Sequence, residues 1–535
     1  VTNPPSIVLA TLNAKYIHAS LGLRYLLANM GDLKPRTALR EFTIGRPAQE
    51  IVDELLRVVP GPACTPPIIG FGVYIWNVLQ TTAVLRLLKA ARPDIKVILG
   101  GPEVSHETNE QEITRLADHV ITGWGDLSFA KLCRALLHGP RPLSKVIAGE
   151  QPALDQLALP YAEYSAADLA HRLLYVEASR GCPFKCEFCL SALDKTAWAF
   201  DLEPFLAEMD GLYRRGARNF KFVDRTFNLK IDVSVRILQF FLDRLSAASL
   251  DDALFVHFEV VPDHLPDRLK AMIARFPPGM LQFEVGIQSF NVEVQQRISR
   301  RQDNAKAEAN LRWLVEASHA HLHTDLIFGL PGETLESFAA GFDRLYDLRP
   351  HEIQLGILKR LRGAPITRHT AEYGMLYDES PPYSVRQTGA VDAATMQRFG
   401  RFARYWDMLA NSGRFKQTLP LLLSQRQPVS GAAAADVAAS PFQAFLDLSD
   451  WLWQSTGKTT GLTPESLVDF LFDYLVTSSG WPAPTARSAL LADYVASGAR
   501  GAPQALRGLL PKRPPPTQRP KALAQRQELH QTGIN

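Results

Sequence analysis

Apolar residues in the first part of the chain come in short runs that alternate with amphipathic stretches. Ser6–Thr11 is an apolar, β-rich run, and Leu21–Asn29 has the three-to-four-residue spacing of a helix. The pair recurs as Leu39–Ile44 with Ala48–Val58, Ile68–Trp76 with Val78–Ala91, Lys96–Gly100 with Glu107–Ala117, and His119–Gly123 with Leu127–Leu137. Repeated strand-then-helix units predict an α/β fold with a doubly wound parallel sheet, which places its ligand at the carboxyl ends of the strands. No GxGxxG follows the first strand, so a dinucleotide is the weaker ligand.

A second series begins after residues 141–165, which are rich in Pro, Gly and Ala and read as a linker. Its strands are Leu173–Ala178, Asn219–Asp224, Leu254–Val261, Leu281–Ser289, Leu322–Leu330 and Glu352–Leu361, each followed by a helical pattern. Six such units predict a partial (β/α)6 barrel of the TIM type, with its chemistry at the carboxyl rim. Beyond it the period turns helical, with aromatics at Phe402–Leu409, Phe442–Trp453 and Leu467–Tyr474 that read as core. Thr463 followed by Pro464 is a helix start, Thr as cap and Pro in the first turn. The expected organisation is residues 1–140, a Rossmann-like sheet domain; 141–165, a linker; 166–375, the barrel; 376–510, a helical domain placed as a lid; and 511–535, a Pro-rich, basic, disordered tail.

Composition narrows this only slightly. Of 535 residues, 46% are apolar and 21% charged, which is the balance of a globular protein. A net charge of +3 neither favours nor excludes nucleic acid, which is not the expected partner, and no apolar run is long enough to span a membrane. Val1–Pro5 lacks a signal-peptide pattern, and five cysteines with three clustered suit a reducing cytoplasm better than a disulfide framework.

Those three, Cys182, Cys186 and Cys189, stand as CxxxCxxC in Arg-Gly-Cys-Pro-Phe-Lys-Cys-Glu-Phe-Cys, residues 180–189. Thiolates this close in one loop can converge on an iron–sulfur cube and leave one iron without a protein ligand. Structural zinc would want a second pair at finger spacing, and none follows. The stretch, with Phe188 before its last cysteine, resembles the signature loop of the radical S-adenosylmethionine (SAM) enzymes. The resemblance implies a [4Fe-4S] cluster on Cys182, Cys186 and Cys189 whose open iron chelates SAM, and cleavage of SAM to a 5′-deoxyadenosyl radical. It also implies a low-potential electron donor, a ferredoxin or flavodoxin, and an oxygen-protected setting.

Later strand ends extend the likeness. Phe222–Asn228 with Asp224 resembles the acidic segment that receives the SAM amino group. Glu284–Ser289, with Gln288, resembles the segment near ribose and carboxylate. Asp325–Glu333, with Ile327 and Gly329, resembles the motif beside adenine. A carboxylate at Asp224 can hold an ammonium, and Gly329 and Gly332 can admit a flat base.

Two earlier loops, Leu-Gly-Gly-Pro-Glu-Val-Ser at Leu99–Ser105 and Thr-Gly-Trp-Gly-Asp at Thr122–Asp126, resemble the LGGP and GEGE signatures of the cobalamin domain in cobalamin-dependent radical SAM proteins. Trp124 stands where that pattern has a glutamate. The resemblance assigns Asn13, Tyr74, Gly100, Gly101, Pro102, Gly123 and Gly125 to cobalamin. His18 lies four residues before Gly22, off the spacing of the cobalt-ligating motif, and is expected to be packed instead. His319, His321 and His323 alternate but are read as packed or surface residues, with His319 still in the preceding helix. Cys64 and Cys133 read as small buried hydrophobes. The expected activity is methyl transfer to an unactivated carbon of a small molecule. Its rivals are a cobalamin-assisted ring closure of the porphyrin-cyclase type and a cobalamin sensor with a vestigial barrel.

Overall fold

The computed structural model describes residues 4–62, 65–194, 196–247, 254–424 and 440–511; Cys64 and the tail from residue 512 lie outside them. Two compact units emerge. The first comprises Val1–Glu259 with Lys359–Arg368 and Tyr377–Ser384, and the second Val260–Leu358 with His369–Leu376 and Val385–Asn535.

The first unit opens with strands β1 (Ile7–Asn13), β2 (Thr37–Thr43), β3 (Ile68–Gly72), β4 (Lys96–Gly100), β5 (His119–Thr122) and β6 (Val146–Ala148). They form one parallel sheet in the order β2-β1-β3-β4-β5-β6. Helices α1 (Leu21–Ala28), α2 (Ala48–Val58), α3 (Val78–Ala91), α4 (Glu112–Leu116) and α5 (Ser128–His138) cover both faces. Alternation along β1 supplies two cores. Val8, Ala10 and Leu12 pack with Ile51, Leu55, Val84 and Leu88 of α2 and α3. Ile7 and Leu9 pack with Leu23 of α1 and with Phe129, Leu132 and Cys133 of α5. Cys133 is therefore the buried hydrophobe its sequence setting suggested. The sheet winds outward in both directions from β1 and β3, and that reversal opens a crevice above their carboxyl ends.

Two local expectations fail. The helix expected over Glu107–Ala117 is broken, because Glu107 takes a left-handed φ of 51° and Gln111 is extended at φ −95°, ψ 133°. The linker also holds structure: β6 adds the sixth strand, and α6 (Ala166–His171) follows with a capping box between Ser165 and Asp168.

Barrel strands β7 (Leu174–Val176), β10 (Asn219–Phe222) and β11 (Phe255–Val260) run parallel to their neighbours in this unit, with α7 (Leu202–Arg214) and α8 (Ile231–Ala247) between them. Two-residue strands β8 (Ser179–Arg180) and β9 (Trp198–Ala199) pair antiparallel and close the base of the cysteine loop.

In the second unit β12 (Leu281–Gln288), β13 (His321–Phe328) and β14 (Glu352–Ile357) are parallel and in sequence order. Helices α9 (Asp267–Ile273), α10 (Val292–Arg297), α11 (Asn304–Ala317) and α12 (Leu335–Tyr346) intervene. His319 is exposed and lies between α11 and β13, outside the helix expected to hold it, because α11 ends at Ala317. The helical region comprises α13 (Ala393–Leu409), α14 (Leu419–Leu423), α15 (Pro441–Thr456), α16 (Pro464–Asp473) and α17 (Ala483–Ala496). Thr463 caps α16 by accepting from the Ser466 N–H.

The aromatics of this region are core. Phe399 lies 4.1 Å, ring to ring, from Phe328 of β13, Trp406 lies 4.8 Å from Phe342 of α12, and Phe442 lies 4.7 Å from Phe402. Helices α13 and α15 thus pack against β13 and α12 within this unit.

Candidate functional site

The cysteine loop is fastened at both ends. Its base is the β8–β9 ribbon, and the Cys182 N–H donates to the Asp194 carbonyl at 2.9 Å. In its middle the Ile366 N–H donates to the Glu187 carbonyl at 2.9 Å, and the buried Glu187 carboxylate pairs with Arg368. Cys182 is buried, while Cys186, Phe188 and Cys189 are half-buried. Burial raises the Cys182 thiol above its usual range, and the neighbouring Cys189 and Cys186 add to that. Three thiols outside any disulfide that sense one another across one loop form the donor set a cluster needs.

Asp224, just past β10, holds the start of this loop. Its Oδ2 accepts from the Ala178 N–H at 3.0 Å and its Oδ1 from the Ser179 hydroxyl at 2.5 Å. Burial pushes its carboxyl up to about 7, against the two hydrogen bonds that lower it.

Next to the loop lies a cavity of about 430 Å³. Its walls include Gly22, Leu23 and Tyr25 of α1, and Gly72, Gly100 and Gly101 where β3 and β4 end. Gly123, Trp124, Gly125 and Asp126 after β5 complete that side, and Ser179, Arg180, Gly181, Ser191 and Asp194 of the cysteine loop form the other. Gly101 is required there: its φ is 109°, and a Cβ would meet the Val73 carbonyl at 2.5 Å.

Arg180 joins the two walls. It forks onto Asp126 at 3.0 and 3.1 Å and reaches Glu177 at 2.8 Å. It also lies over the rings of Tyr25 at 4.3 Å and Trp124 at 4.8 Å. The Trp124 indole donates to Asp194 Oδ2 at 3.2 Å. Trp124, in place of a glutamate, thus spans from the sheet loop to the cysteine loop.

A second clasp holds the Leu99–Ser105 loop. Buried Glu103 Oε1 accepts from Arg362 Nε at 3.0 Å and from the Tyr383 hydroxyl at 2.7 Å, while Arg360 forks onto Glu107 and Arg362 adds one bond to it. Burial and the Glu103 carboxylate push the Tyr383 phenol up to about 12.

Of the residues assigned to cobalamin, Tyr74, Gly100, Gly101, Gly123 and Gly125 line the cavity. Asn13 does not; its amide donates to the His18 carbonyl at 2.8 Å and to Glu41 at 3.0 Å. Pro102 sits in the short turn after Gly101, behind the wall. His18 is packed as expected, its Nδ1 2.7 Å from the Tyr175 hydroxyl.

The SAM-assigned positions Glu284, Gln288, Ser289, Ile327 and Gly329 belong to the second unit. Glu284 and Ile327 are half-buried on β12 and β13. Gln288 ends β12 at a bulge with φ 70°. The Ser289 hydroxyl donates to Glu333 Oε1 at 2.5 Å, and burial pushes the Glu333 carboxyl up to about 7. Gly329 has a φ of 86°, and the space a Cβ would take is filled by Val385 at 2.5 Å and Met396 at 3.1 Å, so local packing alone requires the glycine.

The family models that match are "Radical SAM superfamily", over residues 176–345, and "B12 binding domain", over residues 7–133. This chain carries a B12-binding domain followed by a radical SAM domain. The curated relatives include the 2-(S-pantetheinyl)-carbapenam-3-carboxylate methyltransferase of Streptantibioticus cattleyicolor, 24% identical over 66% of this chain and 57% of that one. Another is the cobalamin-dependent radical SAM methyltransferase TokK of Streptomyces tokunonensis, 24% identical over 58% of this chain and 49% of that one. The chain spans about half the length of the curated relatives it matches.

Among solved structures, the cobalamin-dependent SAM radical enzyme OxsB with aqua-cobalamin superposes at a TM-score of 0.61, with 14% identity, covering 92% of this chain and 81% of that one. The radical SAM methyltransferase TsrM of Kitasatospora setae gives 0.55 with 13% identity, over 83% and 95%. At these identities the likeness is one of fold.

The two matched domains imply a [4Fe-4S] cluster, SAM and cobalamin, and the residues present fit them. Three thiols outside any disulfide share one tethered loop, and a cavity edged by glycine strand ends opens beside it. Sequence reasoning gave no role to Arg180, Asp126, Tyr25 or Gly22. Arg180 was visible as the residue two before Cys182, but its partner Asp126 is 54 positions away.

Proposed function

We propose that this protein is a cobalamin-dependent radical SAM methyltransferase acting on an unactivated carbon of a small molecule. The observation that carries the reading is the shared cavity: the glycine-edged strand ends of the first sheet and the cysteine loop face each other across one space. When bound, the three groups would supply reductive SAM cleavage and a methyl donor side by side.

The chain's own contribution is placement. Cys182, Cys186 and Cys189 would hold the cluster, and Tyr74, Gly100, Gly101, Gly123 and Gly125 the corrinoid. The resemblance assigns SAM contacts to Phe188 in the first unit and, in the second, to Glu284, Gln288, Ser289, Ile327 and Gly329. Asp224, occupied by Ala178 and Ser179, serves this reading as the support of the loop start. Arg180, with a carboxylate on each side, fixes the loop against the sheet, and the Tyr25 and Trp124 rings exclude water from that junction. A ferredoxin or flavodoxin in a reducing cytoplasm would deliver the electron. Among the described residues no helix is long and apolar enough to cross a membrane.

The test needs no substrate. The chain is reconstituted without oxygen with iron, sulfide and hydroxocobalamin, then given methyl-labelled SAM and a strong reductant. We expect deoxyadenosine release and methyl label retained with the corrinoid. Deoxyadenosine without label on the corrinoid would replace methyl transfer by the ring-closing alternative. Corrinoid retention without deoxyadenosine would leave the sensor.

A further inference from the structure

The structure gathers a second donor set on the barrel strands of the second unit. His321 and His323 are two apart on β13, so both project from one face of the sheet, and Glu352 of β14 stands in register with His323. One carboxylate oxygen, Oε1, lies 3.0 Å from His321 Nε2 and 2.7 Å from His323 Nε2. The three ligand atoms are within 4.8 Å of one another. His321 and Glu352 are buried, whereas the His323 side chain is 22% exposed and offers an entry path.

These residues open their strands, and the glycine motif at Gly329 closes β13 at the far end. The separation is roughly 20 Å along an extended strand. The glycine motif at Gly329 therefore makes no use of this cluster.

We propose that His321, His323 and Glu352 bind a divalent transition metal, zinc by donor preference, as a structural site at the amino-terminal end of β13 and β14. Two imidazoles and a carboxylate are a recurrent zinc donor set, and a dication would offset the cost of burying the carboxylate. Neutral imidazoles must present bare Nε2 atoms, so the proton of each ring would sit on Nδ1. The fourth position falls to water. The alternation of His321 and His323 was visible in the sequence, but Glu352 is 31 positions from His321 and only the strand pairing brings it in.

The experiment uses the full chain with Cys182, Cys186 and Cys189 changed to serine, so that zinc on those thiols is not counted. Zinc ion alone is titrated, bound metal is measured by elemental analysis, and cobalt(II) is substituted for its visible spectrum. We expect one tightly held zinc per chain, a tetrahedral cobalt spectrum and a zinc-dependent rise in melting temperature. His323→Gln and Glu352→Gln should each weaken binding by about 100-fold or more and abolish the rise. His321 is fully buried and its replacement can unfold the chain, so the melting shift of the parent background serves as an independent readout. A hydrogen-bonded His–Glu–His triad without an ion would show no tight zinc and no shift, and would overturn the proposal. Equal zinc affinity in the His323 and Glu352 variants would also overturn it.

Discussion

Glu333 and Asp224 are buried carboxyls that differ in how many hydrogen bonds offset their burial. Glu333 has a hydrogen bond from Ser289 and little else to offset its burial, so its carboxyl is pushed up to about 7. A raised folded value means that the stabilisation tied to protonation is complete below the unfolded carboxyl pKa of about 4.3. It is lost as pH rises through about 7. Glu333→Gln removes the charge, so the variant should be the more stable at pH 8, by up to about 3 kcal/mol. The gap should close as pH falls to 5, and melting curves of the two proteins across that range check it. Parallel pH dependences would show that Glu333 does not titrate there.

Asp224 follows the same sign, with a carboxyl also near 7, but it accepts two hydrogen bonds at the start of the cysteine loop. Asp224→Ala should leave a buried N–H and a hydroxyl unmatched, at about 1–3 kcal/mol. Iron incorporated on reconstitution should fall while far-ultraviolet circular dichroism stays native.

Among elements, the joint between the first sheet and the cysteine loop rests on Arg180. Its guanidinium lies between Asp126 and Glu177 and is stacked on aromatic rings, so its own proton is held more tightly than usual. Arg180→Gln should leave two buried carboxylates facing each other without a cation, a loss of about 3–5 kcal/mol. Asp126→Asn, which keeps the cation and one carboxylate, should cost less. Corrinoid retained through gel filtration should drop more for the first variant than for the second, and an equal drop would separate the ion pairs from the cavity.

This joint also marks where the sequence became opaque. Helices α2 and α3 and strand β4 were legible to the residue, because each is a run long enough to show its own period. Strands β6, β8 and β9 have three residues or fewer and no period to show. The break in the Glu107–Ala117 helix follows from backbone angles at Glu107 and Gln111, residues with no strong turn signature. Of the glycines lining the cavity, Gly100, Gly101, Gly123 and Gly125 could be named from their place after strands. Arg180 with Asp126, and Glu103 with Arg362 and Tyr383, could not, since each pairing links segments tens to hundreds of positions apart.

At the scale of the whole molecule, binding and chemistry draw on different parts of the first unit. The cavity wall on the loop side is made by Ser179, Arg180, Gly181, Ser191 and Asp194, and none of the three cysteines is among the lining residues. The loop is held by the β8–β9 ribbon, by Glu187 with Arg368, and by the Asp194 carbonyl, none of which uses a thiol. Removing the sulfurs should therefore leave the wall standing. Replacing Cys182, Cys186 and Cys189 together by alanine should abolish deoxyadenosine release yet keep corrinoid affinity within about threefold, a free-energy change under about 1 kcal/mol. Absorbance of the protein-bound corrinoid and chromatography of the nucleoside measure the two quantities on one sample. If corrinoid is lost in step with the cluster, the cluster is what shapes the loop side of the cavity, and the fastenings around Glu187 and Asp194 are insufficient without it.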